Sequence, residues 1–319
     1  MKLLLKKLSY ITLMLFIIAL ISFIAINLAP NSFFASGDLN PNITKESLEH
    51  LKEVYGLDKP LYIQFYAWIK NIIMLDFGIS FSSGSLVKDE ILSRIPITLI
   101  INGISIIFVF TISLYLGIKA ALNKNSFVDK IIKQIALVSF SLPSFYLALM
   151  GVLIFAVIFE ILPISGLHSS GLKEGSFKYY LDTAWHLILP ISIIIFGGIG
   201  SLILYVRSLT LEILKSDYIF FAKSRNLPKK TIIRYYILPN LYPPIITLLG
   251  LSLPGIIGGS VILETIFGID GMGLLFFQSA LSHDYPVIMG ILIIGAFLTL
   301  LGNIIADTVL IKLNPYQSN

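Results

Sequence analysis

The densest run of side chains able to engage a partner lies between Ser216 and Asn240, SDYIFFAKSRNLPKKTIIRYYILPN. Lys223, Arg225, Lys229, Lys230 and Arg234 crowd its centre. Cations at that density can hold anionic lipid headgroups at a membrane surface. Set on two helices with a sharp turn between them, they can also form a docking knob for a cytoplasmic protein. The local signals predict such a helix, break and helix. A first helix ends near Arg225, and Asn226 stands where a left-handed residue would stop it. Pro228 follows at a position suited to the first turn of the next helix. Ile232, Ile233, Tyr236 and Ile237 give that second helix an apolar face.

Bond-making chemistry finds little support. No GxxxxGK[ST] pattern occurs and no glycine is followed directly by lysine, so a phosphate-cradling P-loop is absent. HExxH, CxxC and GxSxG patterns are missing too. There is no cysteine, which removes disulfides, thiolate metal sites and cysteine nucleophiles. The four histidines, His50, His168, His186 and His283, are scattered, and no metal site is expected from them. Gly250, Gly255, Gly258 and Gly259 are dense in one apolar run, where small residues allow close helix approach or a thin pathway wall. Glu264 follows that run and reads as a charge at a helix end. Asp307 sits in the last apolar run, where a charge is usually paired or hydrated.

The elements that must position these residues are membrane helices. Of 319 residues, 56% are hydrophobic and 13% charged, against about 25% charged in an average soluble domain. Such a composition excludes a soluble globular domain, a disordered chain and a nucleic-acid module. Crossing the hydrocarbon core takes about 20 apolar residues, and six runs qualify: 8–29, 97–118, 131–159, 186–206, 243–263 and 286–310. The first follows Lys2, Lys6 and Lys7 and is too long for a signal peptide, so it is expected to remain as a helix. Pro143 and Pro254 are expected to kink their helices, with neighbours satisfying the freed backbone groups. Alternation of period two is absent, which argues against a β-barrel.

The net charge of +5 conceals an asymmetry. With the N-terminus in the cytoplasm, the inside segments 1–8, 119–133, 207–240 and the C-terminal end hold 15 basic and 4 acidic residues. The outside segments hold 8 basic and 14 acidic residues. Lysine and arginine favour the cytoplasmic side, so both termini are expected inside. The division is then a first membrane helix (1–30), an extracytoplasmic segment (31–96) and a five-helix core (97–319) with the cytoplasmic loop 207–240. Within the outer segment, 45–55 has helical spacing, and 62–74 suits a helix along the membrane surface.

The loop resembles the signature of permease subunits of binding-protein-dependent ABC importers. In that signature a glycine follows the second alanine by four residues, and Leu-Pro lies twelve and thirteen residues beyond. Ala222 matches the alanine, Asn226 takes the glycine position, and Leu238 and Pro239 match Leu-Pro. The family's glutamate and first alanine fall on Phe220 and Phe221. End to end, the chain resembles the first permease of dipeptide, oligopeptide and nickel importers. The resemblance rests on Tyr55–Pro60, Asp76–Ser80, Ser141–Ser144, Leu187–Pro190, Gly258–Gly259, Glu264–Phe267, Gly271–Gly273, Asp284–Pro286, Asn303 and Asp307.

The resemblance implies an all-α, six-helix permease of the type I ABC importer fold in a bacterial inner membrane. A second homologous permease would complete the pore, two ATPase subunits would bind ATP and Mg, and a solute-binding protein would deliver peptide or nickel. Ala222, Asn226, Leu227, Pro228, Leu238 and Pro239 would form the ATPase coupling site. Gly255, Gly258, Gly259 and Glu264 become pathway or gate candidates, and His283 with Asp284 a transient contact if the cargo is nickel. The competing readings are a stand-alone secondary transporter and an intramembrane enzyme. The first would show internal repeats and buried ionisable residues, and the second a nucleophile–base pair within the spans.

Overall fold

A computed structural model describes residues 2–28 and 59–313. In chain order the helices are α1 (Lys2–Leu28), α2 (Leu61–Ile73), α3 (Val87–Leu122), α4 (Phe127–Ser141), α5 (Ser144–Gly151), α6 (Phe177–Ile213), α7 (Asp217–Ser224), α8 (Lys229–Ile232), α9 (Leu238–Gly258), α10 (Val261–Phe267), α11 (Met272–Leu281) and α12 (Tyr285–Leu313). Two wider-wound π-helical stretches, Val152–Ile158 and Ile233–Ile237, follow α5 and α8. Among the described residues the β-structure is one isolated antiparallel bridge, Ile79 to Leu86.

Among the described residues, three helices are long and apolar enough to cross a membrane: α3, α6 and α12 over Tyr285–Ile304. The number rises to five if each of two bent pairs counts as one span. The first pair corrects the expectation of one kinked helix over 131–159. Phe127–Ser141 and Ser144–Ile158 meet at 101°. Pro143 has no N–H to continue the ladder and forces its predecessor out of the helical region, and Leu142 is extended at φ −89°, ψ 129°. The expected run 243–263 is likewise divided. Gly259, at φ 68°, ends α9, and Ser260 caps the separate helix α10 by accepting the Leu263 N–H at 3.4 Å. The segment 271–282 contains α11.

Other bounds are longer than hydropathy alone suggested. α6 starts nine residues before 186, with the Ser176 hydroxyl accepting from the Tyr179 N–H at 3.2 Å. α3 begins at Val87 and runs through Pro96, with Asp89 and Glu90 in its first turn, where the helix dipole favours negative charge. The stretch 62–74 is helical, as α2. The helix expected over 45–55 lies outside the described residues, as do His50 and the side chain of Asp307.

The described residues form two compact units: those up to Pro96 with Gly271–Leu301, and Ile97–Asp270 with those from Gly302. In the first, Val87 and Ile91 pack with Met272, Leu275, Val287 and Ile291. Phe65 of α2 meets Phe16 and Phe23 of α1 edge-on, at centroid distances of 5.8 and 5.3 Å.

In the second unit α6 is central. α4 lies so close along it that a Cβ on Gly200 would stand 2.5 Å from the Ala136 carbonyl oxygen and 2.7 Å from the Phe140 nitrogen. Only glycine permits that approach. Ser139 donates to the Phe196 carbonyl across the same contact. Ile118 of α3 and Val206 of α6 then join Ile219, Ala222, Ile232, Ile237 and Leu241 in one apolar cluster, which seats the loop after α6.

Candidate functional site

The loop is built from its turns upward. α6 ends at Ile213, and the Ser216 hydroxyl donates to the Ile213 carbonyl at 2.6 Å, tightening the exit. α7 follows, burying Ile219 and Ala222 while Phe220 and Phe221 stand 68% and 65% exposed. Its end is a complete Schellman turn. Asn226 adopts φ 54°, its N–H donates to the Lys223 carbonyl at 2.9 Å, and the Leu227 N–H donates to the Ala222 carbonyl at 3.2 Å. Leu227 then packs onto the apolar cluster that holds Ala222, which is the hydrophobic contact this motif usually carries. The expectation of a left-handed Asn226 is met, and three of the coupling candidates gain a physical part. Ala222 supplies a carbonyl and a small buried side chain, Asn226 the reversal, and Leu227 the anchor.

Pro228, at φ −57° and ψ 144°, opens α8 one position earlier than the first turn expected from sequence, and its carbonyl accepts from Thr231 and Ile232 at 2.9 and 3.1 Å. The π-helical stretch Ile233–Ile237 then joins α8 to α9. Its last turn closes on a bond from the Leu238 N–H to the Ile233 carbonyl, five residues back. Pro239 follows with no N–H to give and stands exposed, while Leu238 packs on the buried cluster. Lys223, Arg225, Lys229 and Lys230 are all exposed around the turn, so the loop presents two aromatic rings among cations on a rigid base.

Sequence reasoning missed what ties this base together. Asp129, fully buried near the start of α4, accepts from Arg207 Nε at 2.6 Å and from a second guanidinium nitrogen at 2.8 Å. Its Oδ2 also accepts the backbone N–H of Asn125 at 2.9 Å, and Lys133 Nζ lies 3.9 Å away. Ser126 Oγ accepts the Asp129 N–H at 3.3 Å. The Ser126 hydroxyl thereby caps α4, while one carboxylate closes the turn after α3 and clamps α6 six residues before its end. The available signal was Ser126 three residues ahead of an acid, a helix-capping pattern.

The pathway candidates do not gather in one place. Gly255 lines a groove between α3, α6 and α9, Gly258 is the last residue of α9, and Gly259 breaks the helix. Glu264 is buried rather than exposed at a helix end. It accepts from the Ser260 N–H at 3.3 Å and the Thr98 hydroxyl at 3.5 Å. Two of the stretches singled out in the sequence do meet in the first unit. Buried Asp284 accepts from Ser80 Oγ at 2.6 Å and from the Ser82 N–H at 3.0 Å, holding the loop before α3 to the start of α12. His186 is buried with Nδ1 2.8 Å from the Asp182 carbonyl, and the His168 ring lies tilted against Tyr179 at a centroid distance of 4.9 Å. Among the described residues, no three His, Asp or Glu side chains gather as a metal site would require.

Residues 113–315 match the family model described as binding-protein-dependent transport system inner membrane component, and residues 1–102 match the N-terminal model of such membrane components. The chain belongs to this family. Relatives of the family member include the oligopeptide transport system permease protein AppB of Bacillus subtilis, 32% identical over 93% of each chain. The oligopeptide permease OppB of Haemophilus influenzae is 33% identical over 94% of each, and the dipeptide permease DppB of Lactococcus lactis 30% identical over 98% of each. A chain of the MetNI methionine ABC transporter, solved in inward facing conformations, shares the fold with a TM-score of 0.56 and 17% identity. It covers 70% of this chain and 96% of its own length. The permease is thus a multi-pass membrane protein of a transport system, and not itself a catalytic subunit.

Proposed function

We propose that this permease is a pore-forming subunit of an ATP-driven importer of peptides in a bacterial inner membrane. The observation that carries the reading is the Schellman turn at Asn226. It gives a physical part to Ala222 and Asn226 of the family signature and to Leu227 beside them, in a chain whose named relatives are peptide permeases over nearly their whole length. In this reading six helices cross the membrane with both termini in the cytoplasm, and residues 31–96 face outward. A second homologous permease completes the pathway, and a solute-binding protein delivers cargo from outside. Two ATPase subunits, which carry the ATP and Mg, grip α7, the Asn226 turn and α8. Their closure pushes on a lever with few soft torsions, because the turn is hydrogen-bonded on both sides and Pro228 fixes its own φ. Glu264 and the α9 glycines serve the pathway or its gate.

The test is co-expression with a second permease, two ATPases and a binding protein, followed by purification and reconstitution into vesicles. The reading requires the ATPases to co-purify with this chain and ATP hydrolysis to rise when the binding protein carries a short peptide. Absence of a complex, or stimulation by nickel-loaded binding protein and not by peptide, refutes it.

A further inference from the structure

In the second unit, α3, α6 and α9 enclose a groove of about 620 Å³, within the range of ligand-binding clefts. Its polar lining consists of Asn102, Ser105, Ser201, Tyr205 and Ser252. Among the described residues that line it there is no carboxylate, ammonium, guanidinium or imidazole. Ser105 is 1% exposed, and its Oγ has no hydrogen-bond partner. A buried hydroxyl in that condition is unfavourable until a partner reaches it. Ser252 donates to the Leu248 carbonyl at 2.8 Å, which leaves its oxygen able to accept. On the same wall, a Cβ added to Gly255 would meet nothing within 4 Å, so the glycine leaves room beside these groups.

We propose that this groove is a transit site for the peptide main chain, with Ser105 as its deepest contact; the proposal rests on the peptide-importer reading. Hydroxyl and amide side chains both donate and accept, so they can serve the N–H and C=O groups that alternate along any peptide. A neutral lining neither attracts nor repels particular cargo side chains, whereas a free divalent metal would need imidazole or carboxylate ligands. Contacts of this kind hold cargo without selecting its sequence. Selectivity then belongs to the protein that delivers it.

The chain has no cysteine, so Ser201→Cys and Ser252→Cys each place a single thiol in the groove. Phe108→Cys places one on a half-exposed residue of α3 outside the lining. Each variant is reconstituted as the full importer with cysteine-free partners and treated with a charged, water-soluble thiosulfonate. The expected result is that both groove thiols react. Trialanine, delivered under turnover, slows them severalfold and leaves the Phe108→Cys rate unchanged. Trilysine and triglutamate protect equally well. Unreactive groove thiols, meaning that lipid or the second permease covers them, overturn the proposal. So do rates indifferent to peptide, or protection that follows cargo charge. Uptake of trialanine by the unsubstituted importer is measured alongside. Uptake with unprotected thiols refutes the groove alone, and no uptake of any peptide refutes the importer reading with it.

Discussion

Replacing Arg207 by alanine is the most informative single perturbation of this molecule. Asp129 is fully buried, and three of its hydrogen bonds have charged or backbone donors, two of them from the Arg207 guanidinium. Arg207→Ala leaves the carboxylate in place with the Asn125 N–H and a lysine 3.9 Å away. Stranding one member of a buried ion pair costs about 3–5 kcal/mol. At about 2–4 °C per kcal/mol, the melting temperature of the purified permease complex falls by roughly 6–20 °C. The double variant Asp129→Ala with Arg207→Ala removes the stranded charge and is less damaged than the two single losses added together. The non-additivity is up to about 3 kcal/mol, as for other residues in contact. The assay is thermal unfolding of all four proteins of the cycle in one detergent. Melting of Arg207→Ala within about 2 °C of wild type, or strict additivity in the cycle, would refute the clamp as a structural element.

Four further outcomes follow from geometry. Asn226→Gly keeps the left-handed turn and leaves peptide uptake and stability near wild type. Asn226→Pro cannot reach φ 54° and loses the N–H bonded to Lys223, so uptake and peptide-stimulated ATP hydrolysis both fall away in reconstituted vesicles. Gly200→Ala drives a methyl group into the α4 backbone and lowers stability by about 1–3 kcal/mol or more, read as a lower melting temperature and reduced yield of folded protein. Ser80→Ala removes a donor from buried Asp284 and destabilises by about 1–3 kcal/mol, with faster proteolysis in the 76–86 loop as the readout.

The membrane class and most helices were legible because hydrocarbon imposes a composition that few other settings tolerate. Runs without charge marked α1, α3 and α6, a run with the single charge of Asp307 marked α12, and the basic excess marked the loop after α6. The Asn226 turn was legible for a local reason: one residue's tolerance of positive φ and one proline's fixed φ are properties of the chain itself. Hydropathy could not show that Pro143 turns a corner instead of kinking a helix, because a bend of 101° depends on what the two arms pack against. The ends of α6 were misjudged for a related reason, since a capped helix continues into polar residues once it leaves the apolar layer.

The site divides along the same line. By itself the sequence determined which residues sit at the break between α7 and α8, and that cations surround them, because both facts concern neighbours along the chain. Only the tertiary structure decided that Asp129 reaches Arg207 across 78 positions, that Asp284 reaches Ser80 across 204, and that Glu264 is buried against Thr98. A lone acid in a sequence carries no record of its partner. Its pairing is set by desolvation, which makes an unpartnered buried charge too costly to keep and so selects whichever donor the helix packing brings within reach.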